Sequence, residues 1–352
     1  MIGGTWKRHH PVLTTSISLT PCYPRGMGDD QHEPNSDEKR SRHKARDLLQ
    51  QAGLPTDKLK AGNGVANDVW LTSSHVVRMN SGRFRDAFHF EARVLGRLPA
   101  EIPHPVVVAH GARDGGEFLI LERLPGTTVD EAWPFLSTAE RRVVVRELAG
   151  IIHCLHAMKP AAWMMNPWVL DAMEGRYADA YHAPPLLFGE LIDSAERARP
   201  DASVVLDRTR VFIARRIDAF SGDRDVPVHT DLHMRNVLVD GGRISGLVDF
   251  EGFRLAPGDV ELDMLLRSVR WAVASPEGES LDYQMVPHVF WEGYPGLFAH
   301  PRLIERLEVY EALWHLVQLH WHPEGSASDP AVLLDSLLNG QVRETLKALL
   351  GT

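Results

Sequence analysis

The chain has 352 residues, 44% of them hydrophobic and 24% charged, with a formal net charge of −9. This is a globular composition with room for two lobes, and the negative balance argues against nucleic-acid binding by phosphate neutralisation. Two cysteines, Cys22 and Cys154, supply neither a disulfide framework nor a thiolate metal site, and no apolar run approaches the roughly 18 residues needed to cross a membrane. A cytoplasmic protein without a membrane partner is expected.

Residues 1–36 are polar and rich in Pro, Gly and Asp, and read as a disordered extension. Ser36-Asp37 can cap a helix over about 38–52, closed by Gly53. Strand-like runs at 67–72 and 75–79 flank Ser73-Ser74 as a hairpin, and just before them Gly62-x-Gly64-x-x-Asn67 would expose backbone N–H groups as phosphate-covering loops do. Helical spacing runs from Asp86 to Leu98 and includes Glu91, which by itself reads as a solvated residue. An extended segment begins at Pro103, and a buried strand spans 117–122. The composition then changes at Arg123-Leu124-Pro125-Gly126, which divides a strand-rich N-lobe (37–122) from a helical C-lobe (123–352).

Within that C-lobe, Ser137-x-x-Glu140 is a capping box opening a helix to about Met158. Further helices are expected near 185–198, 202–220, 260–273 (with Asp259 as N-cap), 284–293, 301–321 and 330–349. His153 and His156 read as helix-surface or packing residues.

The informative stretch is His229-x-Asp231-x-x-x-x-Asn236, then two apolar runs about Asp240-Gly241-Gly242, then Asp249-Phe250. The turn signals a hairpin, and pairing back from it sets Asn236 opposite Leu247, near Asp249. Asp231 precedes the first strand, so two carboxylates and an amide converge at one end. That set suits a divalent cation on a phosphate, with one acid free to orient a hydroxyl. His229 and His233 would need a helix to share a zinc ion, and the strand-forming sequence after Asn236 opposes one. No G-x-x-x-x-G-K-[ST] or G-x-S-x-G occurs, so P-loop and hydrolase chemistries lack their motifs.

His229-Thr-Asp-Leu-His-Met-Arg-Asn236, Val248-Asp249-Phe250-Glu251 and Gly258-Asp259-Val-Glu-Leu-Asp263 together resemble the catalytic loop, metal segment and following G-D-x-x-x-D of the aminoglycoside phosphotransferase and choline kinase family. The resemblance implies an α+β, two-lobed protein-kinase-like fold: a small antiparallel sheet lobe and a mainly helical lobe. It implies a kinase that uses ATP (or GTP) and Mg²⁺ to phosphorylate a hydroxyl of a small molecule, most simply an aminoglycoside-like or other antibiotic, as a monomer or homodimer. A choline, sugar or amino-alcohol kinase and a non-catalytic nucleotide-binding regulator are the alternatives.

By the same resemblance Asp231 would orient the hydroxyl, and Asn236 and Asp249 would hold Mg²⁺. Gly62, Gly64 and Asn67 would cover the phosphates, with Arg78 contacting them and Glu91 positioning Arg78. The backbones of Glu122 and Leu124 would bind the adenine between Val76 above and Leu238 and Val248 below. The acceptor wall is expected over the C-lobe beside Asp231, where Glu251, Asp259, Asp263 and Trp271 belong to a wider set of acids and aromatics that includes Glu261. The chain departs from the family pattern at Arg78, where lysine is commoner, and at Thr230, where glycine is usual.

Overall fold

The computed structural model describes residues 36–62, 67–80, 86–167, 184–274, 282–322, 324 and 329–351. After helix α1 (Ser36–Gln51) come the strands β1 (Lys60–Ala61), β2 (Asp68–Leu71) and β3 (His75–Met79), helix α2 (Ala87–Leu95), and the strands β4 (Val107–Arg113) and β5 (Gly116–Glu122). The five strands form one antiparallel sheet in the order β1-β2-β3-β5-β4.

Side-chain alternation assigns the two faces of this sheet. Val77, Met79 and Ile120 join Trp70 in a core with Ala45, Leu48 and Leu49 of α1. The intervening Leu119 and Leu121 pack in the main core with Phe88, Phe90 and Leu95 of α2. Arg78, one step from Val77, is therefore carried on the α2 side.

Beyond β5 the chain bends at 123–126. Gly126 has φ +92, and a Cβ there would lie 1.9 Å from the carbonyl oxygen of Val239, so the close approach of the two backbones requires glycine. Strand β6 (Thr127–Thr128) pairs with β8 (Val237–Asp240), which pairs with β9 (Arg243–Leu247). The short helix α3 (Val129–Ala132) leads to α4 (Thr138–His156), whose capping box forms with both Ser137–Glu140 hydrogen bonds. Helix α4 sends Val144, Val145, Leu148, Ile152 and Leu155 into the main core. There they join Val237, Val239 and Leu247 of the hairpin and the apolar face of a later helix, Val260–Val273.

Helices α5 (Phe188–Ala198) and α6 (Ser203–Ala214) follow, then β7 (Val226–Val228), β10 (Arg254–Ala256), α7 (Val260–Val273), α8 (Met285–Gly293) and α9 (Leu303–Gln318). The expected helix over 330–349 is two, α10 (Pro330–Leu338) and α11 (Gln341–Leu350). Gly340, in the left-handed region at φ +84, separates them. A second apolar core ties α5, α6, α9 and α10 together. Among the described residues no helix is long and apolar enough to cross a membrane.

Two features of the hairpin region position the site. The register differs from the expected one: Asp240↔Arg243 and Val239↔Ile244 are followed by Leu238↔Gly246 and Val237↔Leu247. Ser245 is thus an extra residue in β9, a bulge whose hydroxyl donates to the carbonyl of Pro125 at 2.7 Å. The slip makes Val248, rather than Leu247, the residue bonded to Asn236 (Val248 N–H to Asn236 O, 3.0 Å). The second feature is the ladder of β7 with β10, Val228↔Arg254 through Val226↔Ala256, which closes both ends of the excursion 229–253.

Candidate active site

Strand β7 delivers His229, Thr230 and Asp231. His229 is fully buried: its Nε2 donates to the carbonyl of Val248 (2.9 Å), and its ring lies 4.6 Å from that of Phe250. Its remaining nitrogen, Nδ1, accepts the N–H of Asp231 at 3.3 Å. The histidine therefore staples the loop to the strand before Asp249. Thr230 adopts φ +72, an unfavourable region for a β-branched residue. Two bonds hold it: its hydroxyl donates to the carbonyl of Gly252 (2.9 Å), and its N–H to Glu261 Oε2 (3.2 Å).

Glu261, in the first turn of α7, also accepts the N–H of His229, and its side chain is wholly buried with His156 at 3.8 Å. The wider acidic set included Glu261 as an acceptor-wall residue. Its carboxylate instead caps the backbone N–H groups of His229 and Thr230. The available signal was helical spacing, since Glu261 lies four residues before Leu265 and eight before Val269, both in the core.

Asp231 and Asn236 meet: the Asn236 amide donates to the Asp231 carboxylate at 2.8 Å and to its carbonyl at 3.0 Å, so the amide oxygen is the atom left for a ligand. His233 Nε2 lies 3.4 Å from the same carboxylate, whose side chain is 33% exposed. Burial opposes its ionisation, but His233, His229 and the Asn236 amide outweigh burial and hold the Asp231 carboxyl down to about 2.

From the other lobe, one guanidinium nitrogen of Arg78 donates to both oxygens of Glu91 (2.8 and 2.7 Å). The other donates to Asp249 Oδ1 (2.7 Å) and Glu251 Oε2 (3.0 Å). Glu91 is buried, not solvated, and it accepts the N–H of Phe250 at 3.2 Å. Asp249 has φ +68, a left-handed turn in the backbone of this segment. Asn67 donates to Glu251 at 3.1 Å, so the end of the glycine-containing loop reaches the same carboxylate.

Glu91, Asp249 and Glu251 offer carboxylate oxygens within 4.8 Å of one another, around a single guanidinium. Burial, with the charge of Asp249, pushes the Glu91 carboxyl up to about 7 and the Glu251 carboxyl up to about 8, against the pull of Arg78. Carboxylate oxygens set this close have the right chemistry for Mg²⁺, which would displace the protons that burial favours on them.

The expected nucleotide-wall residues Val76, Leu238 and Val248 are half-buried. Leu124 fills the space beside Gly246, where a Cβ would meet it at 2.3 Å. The N–H of Glu122 donates to Val106 at 2.9 Å. Gly62 donates to Val69, and Gly64 lies outside the described residues.

The acceptor-wall expectation needs correction at Asp259. It does not cap α7 through its side chain but is buried, bonded to Arg306 and to the Tyr310 hydroxyl (2.9 Å). Asp263 pairs with the fully buried Arg267 at 2.6 Å, and Trp271 is half-buried on the same helix. Asn166 emerges as a contributor that its sequence context did not announce. It is buried, and its amide donates to the carbonyls of Glu251 and Phe253 (both 2.9 Å).

This geometry can be set beside known proteins. The pattern of the phosphotransferase enzyme family (APH) matches residues 59–296. The chain belongs to this family. An aminoglycoside 3'-phosphotransferase of Streptomyces fradiae is 29% identical over 171 residues, 47% of this chain and 57% of that protein; the match thus spans little more than half the relative's length. Two solved phosphotransferases of the family share the fold. The ADP-bound aminoglycoside phosphotransferase APH(2'')-Ib has a TM-score of 0.56 at 18% identity, covering 85% of this chain and 97% of its own. APH(2'')-IIa in its ternary complex with streptomycin and ATP has a TM-score of 0.53 at 15% identity, covering 90% and 99%. These neighbours have the two-lobed kinase-like architecture expected from the phosphotransferase motifs.

Proposed function

We propose that this phosphotransferase transfers the γ-phosphate of ATP to a hydroxyl of a small molecule. The observation that carries the reading is the contact of the Arg78–Glu91 pair with the Asp249 and Glu251 carboxylates, to which the Asp231–Asn236 pair is tied by the Val248 N–H to Asn236 carbonyl bond. Phosphoryl transfer needs positioning and charge neutralisation more than covalent help, and these units supply both.

Asp231 accepts the hydrogen bond of the acceptor hydroxyl and aims its oxygen. With its carboxyl near 2 it is a weak base, so it takes the proton late, as the new P–O bond reaches completion. Asn236, through its amide oxygen, and Asp249 would hold Mg²⁺, with Glu251 as a further oxygen donor. The ion, when bound, neutralises phosphate charge. Arg78 contacts the phosphates and Glu91 orients it. Asn67 and the glycines cover them, and the adenine lies between Val76 and Leu238/Val248 against the backbone of Glu122 and Leu124. GTP is the alternative donor.

The relatives favour an aminoglycoside-like or other antibiotic as acceptor. One observation favours a second reading, a sugar or amino-alcohol metabolite. Asp259 and Asp263 are already paired with arginines and offer a polycation little unspent charge. The test is ATP turnover with a panel of aminoglycosides, macrolides, choline and sugars. Asp231→Ala should abolish phosphate transfer, by at least about 10³-fold, while nucleotide binding is retained. Nucleotide binding without any Asp231-dependent turnover would leave a non-catalytic regulator instead.

A further inference from the structure

We infer that Arg78 and the divalent cation compete for the same carboxylate oxygens, so that the cation is admitted only when nucleotide phosphates draw Arg78 away. This rests on the kinase reading and goes beyond it. Arg78 is 9% exposed and spans the whole cluster: one nitrogen serves Glu91 and the other bridges Asp249 Oδ1 and Glu251 Oε2. Those two oxygens belong to the carboxylates that would ligate the cation.

An ammonium carries its three N–H donors on one nitrogen atom. A planar guanidinium instead places one nitrogen on Glu91 and a second, separate one between Asp249 and Glu251, so the second can leave without the first. The arginine that departs from the family's usual lysine thereby becomes a placeholder for the metal. A cation arriving alone must strip both acceptors from the second nitrogen and then sit beside a guanidinium in a buried site. A cation arriving with nucleotide brings phosphate oxygens to replace those acceptors. Arg78 stays bound to Glu91 in both states, so the exchange needs only its second nitrogen to change partners. Metal and nucleotide binding are then positively coupled, and by linkage each strengthens the other equally.

The experiment is titration of the intact protein with Mn²⁺, read by the electron paramagnetic resonance of the free ion, without nucleotide. Wild type, Arg78→Lys and Arg78→Met are compared, with folding checked by circular dichroism. The expected result is at least tenfold tighter Mn²⁺ binding by Arg78→Met and an intermediate gain by Arg78→Lys. Should the methionine variant not fold, the lysine variant decides, with a threefold gain as the threshold. Equal affinities, or no Mn²⁺ binding by any form, overturn the inference. Binding of a fluorescent ATP analogue, measured in parallel, separates the two failures. If the analogue binds while Mn²⁺ affinities are equal, only the inference falls; if wild type does not bind it, the kinase reading falls as well.

Discussion

At Thr230 a β-branched residue occupies the left-handed region where the family usually has glycine, at a cost of roughly 1–3 kcal/mol. Its hydroxyl bond to Gly252 and the Glu261 carboxylate below it offset that cost. Thr230→Val should lose about 1–2 kcal/mol, because the strain stays and the hydroxyl bond goes. Thr230→Gly should stay within about 1 kcal/mol of wild type, since the two losses cancel; urea denaturation of the three proteins checks both. Residue identity was the most legible layer, because Asp231, Asn236 and Asp249 are read from a spacing that the hairpin enforces locally. Glu261 and Asn166 were not legible as site supports. Each binds backbone more than 30 residues away, and no local pattern encodes which backbone that is.

At the scale of elements, what alternation and turn chemistry dictate was visible: α1, the β2–β3 hairpin, the capping box of α4 and the Asp240-Gly-Gly turn. The one-residue bulge at Ser245 was hidden, since its partner is the Pro125 carbonyl, supplied by the bend between the lobes. The split between α10 and α11 was signalled by Gly340 but masked by apolar residues on both sides. That bend also carries a sharp expectation. Gly126→Ala would press a methyl group into the Val239 carbonyl at 1.9 Å in a left-handed backbone. It should cost about 3 kcal/mol or more, read as a fall in the denaturant midpoint with little change in slope.

On the scale of the whole molecule, buried arginines join distant helices. Arg306 reaches Asp259 at the start of α7, Asp223, and the carbonyl of Ala219 at 2.7 Å. Arg306→Met leaves the buried Asp259 carboxylate without its cation, the Tyr310 hydroxyl alone remaining, and should destabilise by about 3–5 kcal/mol. A second cluster, Arg267 and Arg270 with Glu311 and His315, clasps α7 to α9. Burial lowers the His315 imidazole below its ordinary value despite Glu311. Below an unfolded value of about 6.5 the unfolded chain takes up a proton that the folded chain declines. Stability from this group is therefore present at neutral pH and lost on acidification. A His315→Gln variant should show a flatter melting temperature between about pH 7 and 5 than wild type.

The β7–β10 ladder has a consequence for how such an enzyme can diversify. It gathers Asp231, Asn236, Asp249 and Glu251 into one excursion, 229–253, tied off at a single two-strand knot. Helix α7, which follows it, packs into the same core and adds Glu261, which grips the backbone of His229 and Thr230 rather than their side chains. On the kinase reading proposed above, solvent-facing positions of the later helices can vary while the excursion keeps its shape, provided a carboxylate remains under His229 and Thr230.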